Sequence, residues 1–197
     1  MTGRNAGNGQ SDEDDESVDG SPPDGATDDR STAGVGASTA TVAASYTEMT
    51  ELLLPNDTNY LGRALGGAVL HWMDVCGAIA GMRFANRQVV TASMDHVDFI
   101  APIEMGEVVV IEGYVFNTGR TSLDVKVEVR AENPRTDETR RTTTSYFTFV
   151  AVDEEGRPTE VPDIECPTAE EAALRERAIE GRADQLREVV DRYDIRP

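Results

Sequence analysis

Basic charge is what this sequence most lacks. Its 197 residues hold 37 Asp and Glu against 18 Lys and Arg, a formal net charge of -19. Lys126 is the only lysine, and every other cation is an arginine. Nucleic-acid phosphates are gripped by clustered cations, so this balance argues against nucleic acid as a partner and disfavours an anionic membrane surface. The surplus is spread out: residues 1–45 carry nine acids and two bases, and most of the excess lies beyond them. Acid-rich, lysine-poor surfaces suit strong salt, where self-repulsion is screened. A salt-adapted, halophilic source is therefore expected.

Metal-binding residues are scarce as well. The two cysteines, Cys76 and Cys166, are far apart, and the two histidines, His71 and His96, form no pair at helical spacing. Without a Cys-x-x-Cys or an acidic cluster in the folded part, no metal site is expected. Two distant thiols and no signal-like N-terminus point to free cysteines in a reducing cytoplasm. Residues 1–45 have no aromatic residue at all and are rich in Gly, Ser, Asp and Pro. Such a stretch buries too little surface to offset its ordering entropy, so a disordered acidic tail is expected there.

Hydrophobic pattern begins at about Tyr46. The run Met49–Leu54 reads as a short strand, stopped by Pro55 and the turn residues Asn56 and Asp57. Residues 64–84, ALGGAVLHWMDVCGAIAGMRF, have helical length, no proline, and polar side chains only at His71, Asp74 and Arg83. A helix apolar on every face is buried in a core or in a membrane. About 20 apolar residues would span a bilayer, yet Asp74 would sit near its midplane at a cost of about 2.5–3.5 kcal/mol. Four glycines in the run also favour close packing on protein, so the core is the better reading.

The period then changes to two. Residues 88–99, 107–119, 121–132 and 141–153 are four strand candidates. In the third, Leu123, Val125, Val127 and Val129 share one face, and Asp124, Lys126, Glu128 and Arg130 the other. Turn residues at 117–119 and 133–136 predict that the last three strands form an antiparallel meander. Thr168 to Glu171 has the form of a capping box and opens a final helix to about Tyr193, which Gly181 would weaken or bend. The fold class is α+β: a curved five-stranded antiparallel sheet wrapped around one long helix.

Asp74 is the residue that asks for chemistry. A carboxylate amid Met73, Val75 and Cys76 must be paired, hydrogen-bonded or functional, because burying it alone is costly. A partner arginine in a wet seam would satisfy it equally well. Gly66 and Gly67 at the helix entry would let a ligand approach free backbone N–H groups at the positive end of the dipole. They would equally let the helix cross a strand closely.

These residues together resemble a known family. The series Pro55-Asn-Asp-Thr-Asn59, Gly62, Gly66-Gly67 and Trp72-Met73-Asp74 resembles the signature of hot-dog-fold acyl-CoA thioesterases of the cytosolic acyl-CoA hydrolase type. The likeness continues through Val90-Thr91-Ala92-Ser93, Asp98-Phe99, Pro102, Gly119-Arg120-Thr121-Ser122 and the segment Phe147–Asp153. The resemblance covers about Glu48 to Pro162 and implies a hot-dog domain, set at 46–165 and followed by the C-terminal helix segment 166–197 already read from its cap, and hydrolysis of acyl-CoA to CoA and a carboxylic acid. It also implies Asp74 as general base or nucleophile and Asn59, from the opposite protomer of a dimer, as its partner. Gly66, Gly67 and Thr91 would position the substrate or its oxyanion, and Gly119, Arg120, Thr121 and Ser122 would lie near bound CoA. No cofactor is implied beyond the CoA of the substrate itself. A homo-oligomer is implied, at least a dimer and by resemblance a hexamer built as a trimer of dimers. Two other readings use the same fold. A non-catalytic acyl-CoA sensor would not need both Asn59 and Asp74, and a hydratase would need an Asp–His pair that the central helix does not show.

Overall fold

The long helix α2 (Gly66–Ala85) forms where twenty residues run without proline, and it stops at Asn86, which takes a left-handed conformation with φ 50°. The chain is described here by a computed structural model that covers residues 38–193. Its elements in order are β1 (Thr39–Thr41), α1 (Val42–Ser45), β2 (Thr47–Leu52), a 3-10 turn at Pro55–Asp57, α2, β3 (Gln88–Met94), β4 (Val108–Thr118), β5 (Ser122–Asn133), β6 (Glu138–Val152), β7 (Asp163–Glu165) and α3 (Ala169–Tyr193).

Strands β2, β4, β5, β6 and β3 stand side by side in that order, every pair antiparallel, with β4–β5–β6 as the expected meander. The alternation of β5 orients the sheet: Leu123, Val125, Val127 and Val129 are fully buried against α2, and their charged neighbours face outward. From α2, Val69, Met73, Cys76, Ala80 and Phe84 meet that inner face. Contact is close: a Cβ at Gly77 would lie 2.9 Å from the ring of Phe149. This is the curved antiparallel sheet around a long helix that the resemblance implies.

Three expectations are corrected. The helix is buried on one side only; Ala68, Trp72, Val75 and Ile79 are half-buried and His71 is exposed, because a single five-stranded sheet covers only one side of it. The strand expected over 88–99 ends at Met94, and residues 95–107 run as a loop with no helix or strand of its own. The folded part also starts before residue 46. Strand β1 pairs in parallel with β7, Val42 is 1% exposed, and the Ser45 hydroxyl donates to Val42 O at 2.7 Å while accepting from Val115 N–H. The small residues of 39–45 carry little hydrophobic pattern, but Val42 fills a niche with Tyr114, Phe116, Tyr146 and Ala178. The rest of the expected tail lies outside the described residues.

Helix α3 lies across the outer face of the sheet. Its start is capped as expected, Glu171 N–H donating to Thr168 Oγ1 at 3.1 Å, but the Glu171 carboxylate also accepts from Ala43 N–H at 2.9 Å. That bond lowers the pKa of Glu171 from the usual range. Arg182 pairs with Asp95 and Asp124 across the interface, at 2.8 and 2.9 Å. Beyond Ala178 the apolar residues of α3 face outward, with Leu186 and Tyr193 exposed. No helix among the described residues is long and apolar enough to cross a membrane.

Candidate active site

Asn59 sits in the loop between the 3-10 turn and α2, and its side chain organises that loop. Its Oδ1 accepts from the backbone N–H of Leu61 at 2.9 Å and of Arg63 at 3.2 Å. The same loop is tied to the segment 101–106 by Ala64 N–H to Ile103 O and Met105 N–H to Gly62 O, each 2.9 Å. Two amide donors on one oxygen fix the orientation of the Asn59 amide, so its Nδ2 is the group left to donate outward. Asn59 lies at the wall of a cavity of about 210 Å³ with Gly66, Val69, Phe99, Ile103 and Thr142.

Gly66 and Gly67 begin α2, and the preceding Leu65 supplies no side-chain cap. The amides of both glycines have no acceptor among the described residues, as the first turn of a helix requires unless something outside it accepts. The Leu65 N–H is engaged with Asp57 O at 2.8 Å, which sets the entry angle. Two free N–H groups at the positive end of a 20-residue helix suit a developing oxyanion.

Asp74 stands two turns further along. Eight residues of helix advance about 12 Å, so within one chain Asp74 is remote from the Gly66 end, and it does not line the cavity of Asn59. Its partner is Thr91, whose hydroxyl donates to Asp74 Oδ1 at 2.6 Å. The register of β3 against β6 slips between Thr91 and Ser93, a bulge of the sort that re-aims side chains. Strand β3 is at the edge of the sheet, and Asp74 is half-buried rather than sealed in the core. The structure therefore joins Asp74 to Thr91, and Asn59 to Gly66, as two separate halves.

The turn Gly119–Thr121 connects β4 to β5. Ser122, Val150 and Val90 form one row across the sheet, and Leu123, Phe149 and Thr91 the next. At about 4.8 Å between strands, this puts the Arg120 turn at the same end of the sheet as Thr91. The Arg120 side chain is exposed and has no carboxylate partner among the described residues, while its carbonyl accepts from Val161 N–H at 3.1 Å.

Phe99 belongs to the linked series of motifs, though no role is read for it there, and the Arg140–Glu107 pair escapes a reading of the sequence. Phe99 packs against Gly66, its ring 3.4 Å from where a Cβ would stand. Arg140 clamps the loop beneath it, donating to Pro102 O at 2.7 Å and to Glu107 at 2.5 and 2.9 Å. That hydrogen bond from Arg140 holds the nearly buried Glu107 carboxyl below its ordinary pKa. Periodicity gives no signal for such pairs, because their partners meet only after the loop has folded. Cys76 is fully buried, and burial pushes its thiol up to about 12, which suits packing and not nucleophilic work.

Comparison with known proteins gives one consistent family. Residues 61–138 match the model of the thioesterase superfamily. An acyl-CoA thioester hydrolase of Bacillus subtilis is 38% identical over 131 residues, 66% of this chain and 76% of its own length. A crystal structure of an apo-hexameric acyl-CoA thioesterase is 42% identical with a TM-score of 0.69, covering 81% of this chain and 99% of that one. An acyl-CoA hydrolase of Staphylococcus aureus, solved with butyryl-CoA and CoA, is 29% identical with a TM-score of 0.63, covering 79% of this chain and 99% of its own. That hydrolase has also been solved as alanine variants of one asparagine, one aspartate and one threonine. The three are separated by fifteen and seventeen positions, the same spacing as Asn59, Asp74 and Thr91. A shared curved sheet, a shared helix and this level of identity lead to one conclusion: the chain belongs to the acyl-CoA thioester hydrolases of the hot-dog thioesterase superfamily.

Proposed function

We propose that this thioester hydrolase works through a site shared between two copies of the chain, with Asp74 and Thr91 from one and Asn59, Gly66 and Gly67 from the other. The observation that carries this reading is the separation of the two halves within one chain, by about two turns of α2. Asp74 Oδ2, left free by the Thr91 bond to Oδ1, takes a proton from water. The water oxygen attacks the thioester carbonyl, whose developing charge is met by Asn59 Nδ2 and the Gly66 and Gly67 amides. Collapse of the intermediate breaks the C–S bond, and the CoA thiolate recovers the proton from Asp74. A thiol is a far better leaving group than an alcohol, a cysteine thiol for instance having an ordinary pKa of about 8.5, so no further acid is needed. Arg120 is placed to grip a CoA phosphate.

The assembly follows from exposed surface. Strand β3 offers an unpaired edge, and Tyr60, Leu61, Leu65 and Met105 expose apolar area around the Asn59 loop. Pairing of two edges covers both and gives the dimer. The outward stripe of α3, with Ile179, Leu186 and Val190, supplies a second contact by which dimers would gather into the hexamer known for similar enzymes.

Thiol release from acyl-CoA tests the division of labour. Asp74→Ala and Asn59→Ala should each fall in kcat, Asp74→Ala by roughly 10²–10⁴-fold. Mixing the two inactive proteins gives heterodimers with one intact site, so about a quarter of the original activity should return after subunit exchange. Exchange without any recovered activity overturns the shared site, and near-normal turnover by a folded Asp74→Ala protein removes Asp74 from the chemistry.

A further inference from the structure

The loop between β3 and β4 is held at its start by the C-terminal helix. Its backbone is fixed by Asp95 N–H to Tyr146 O and by Ile100 N–H to Thr142 O, each 2.9 Å. Between those points the amides of residues 96–99 find no acceptor among the described residues, so side chains hold this stretch. Arg192, in the last turn of α3, donates to both oxygens of Asp98 at 3.1 Å, and Asp98 also pairs with His96 at 3.0 Å. Arg182, nearer the middle of α3, pairs with Asp95. The next side chain after Asp98 reaches the other way. The edge of the Phe99 ring lies 3.4 and 3.6 Å from where a Cβ on Gly66 would stand. Asp98 and Phe99 thus join α3, on the outer face of the sheet, to the entry of the central helix.

Phe99 is also the accessible part of the wall of the cavity behind Asn59. Val69 and Ile103 close its inside at 1% and 2% exposed, whereas Phe99 is 47% exposed. An acyl chain leaving a carbonyl held at Gly66 meets the Phe99 ring first. The volume is about 210 Å³, which at about 30 Å³ per heavy atom admits about seven of them. A butyryl chain fits that space and a decanoyl chain does not. We infer that Phe99 sets the limit on acyl length, and that α3 fixes this limit by holding Phe99 in place through the Arg192–Asp98 pair. The inference rests on the acyl-CoA reading of the site and adds to it a specificity residue, Phe99, and a positioning residue, Arg192, which acts only through the loop. The pair is half-exposed, so its effect is that of a surface ion pair.

The test reads kcat/KM for butyryl-CoA and decanoyl-CoA by thiol release, using the full chain. The unaltered protein should prefer butyryl-CoA. Phe99→Ala should move the ratio toward decanoyl-CoA by about tenfold, the gain of burying roughly two more methylenes, and Phe99→Leu should move it less. Arg192→Ala should move it the same way by about two- to fivefold, through a higher KM for butyryl-CoA at nearly constant kcat. Arg192→Lys should keep most of the original ratio. In the Phe99→Ala background Arg192→Ala should add nothing, because the side chain it positions is gone. A preference for decanoyl-CoA in the unaltered protein overturns the inference, as does a ratio unmoved in both Phe99 variants. A ratio unmoved by Arg192→Ala, or moved equally with and without the Phe99 ring, overturns the part given to α3. If the unaltered protein releases thiol from neither substrate, the thioesterase reading itself falls. Release with an unmoved ratio defeats only this inference.

Discussion

At the scale of single residues, Asn59 shows how a loop assigns a role. An asparagine offers both a donor and an acceptor, and from sequence either could face the substrate. Two backbone amides occupy the oxygen, leaving the Nδ2 donor. Asp74 was legible because a carboxylate in an apolar helix is conspicuous, and Thr91 through its place in a linked series of motifs. The clamp of Arg140 on Pro102 and Glu107 was not legible, since its partners meet only once the loop over 95–107 has folded. The Thr91–Asp74 bond makes its own prediction. Thr91→Val keeps the shape of the strand but frees the Asp74 carboxylate to rotate, so kcat should fall about tenfold or more with KM nearly constant. Steady-state kinetics check this, and Thr91→Ser should restore most of the loss. A change confined to KM would make Thr91 a binding residue.

At the scale of elements, the two long helices were read unequally well. Helix α2 was plain in its length and lack of proline, and its one error was of context: apolar residues all round do not reveal which side this chain's own sheet will cover. Helix α3 was plain in its cap but not in its contacts. Gly181 looked like a weak point, yet a Cβ there would lie 2.3 Å from Tyr146 Oη. The residue is small because helix and sheet approach closely at that point. Gly181→Ala should therefore lower stability by about 1–3 kcal/mol through overpacking, although alanine is the better helix former by about 1 kcal/mol. Adding Tyr146→Phe removes the obstructing oxygen and should recover much of the loss. Denaturant melts of the two single variants and the double variant form a cycle that checks it. Additive losses would show that the contact is not the cause.

At the scale of the whole molecule, the β4–β5–β6 meander followed from alternation and turn chemistry, because each meander turn leaves one antiparallel choice, whereas the edge places of β2 and β3 are set by pairings distant in sequence. The boundary of the folded part did not follow from them either. Residues 39–45 are small and polar enough to read as tail, and what holds them is far away in sequence: β7 and the Glu171 carboxylate. Ala43 and Glu171 are 128 residues apart. That distance has a consequence in time. At about 5–20 residues per second, a ribosome needs roughly ten seconds to make the interval, during which Val42 has been synthesised and its niche has not. The clasp of β1, β7 and α3 should then be the last part to close, after the barrier to folding has been crossed. Val42→Ala should leave the refolding rate within about twofold and speed unfolding by about tenfold, followed through the fluorescence of the sole tryptophan, Trp72. An equal slowing of refolding would place the clasp in the nucleus instead. On the expected outcome, the N-terminal segment serves as a latch on a finished molecule, governing how long the fold endures and not how fast it is reached.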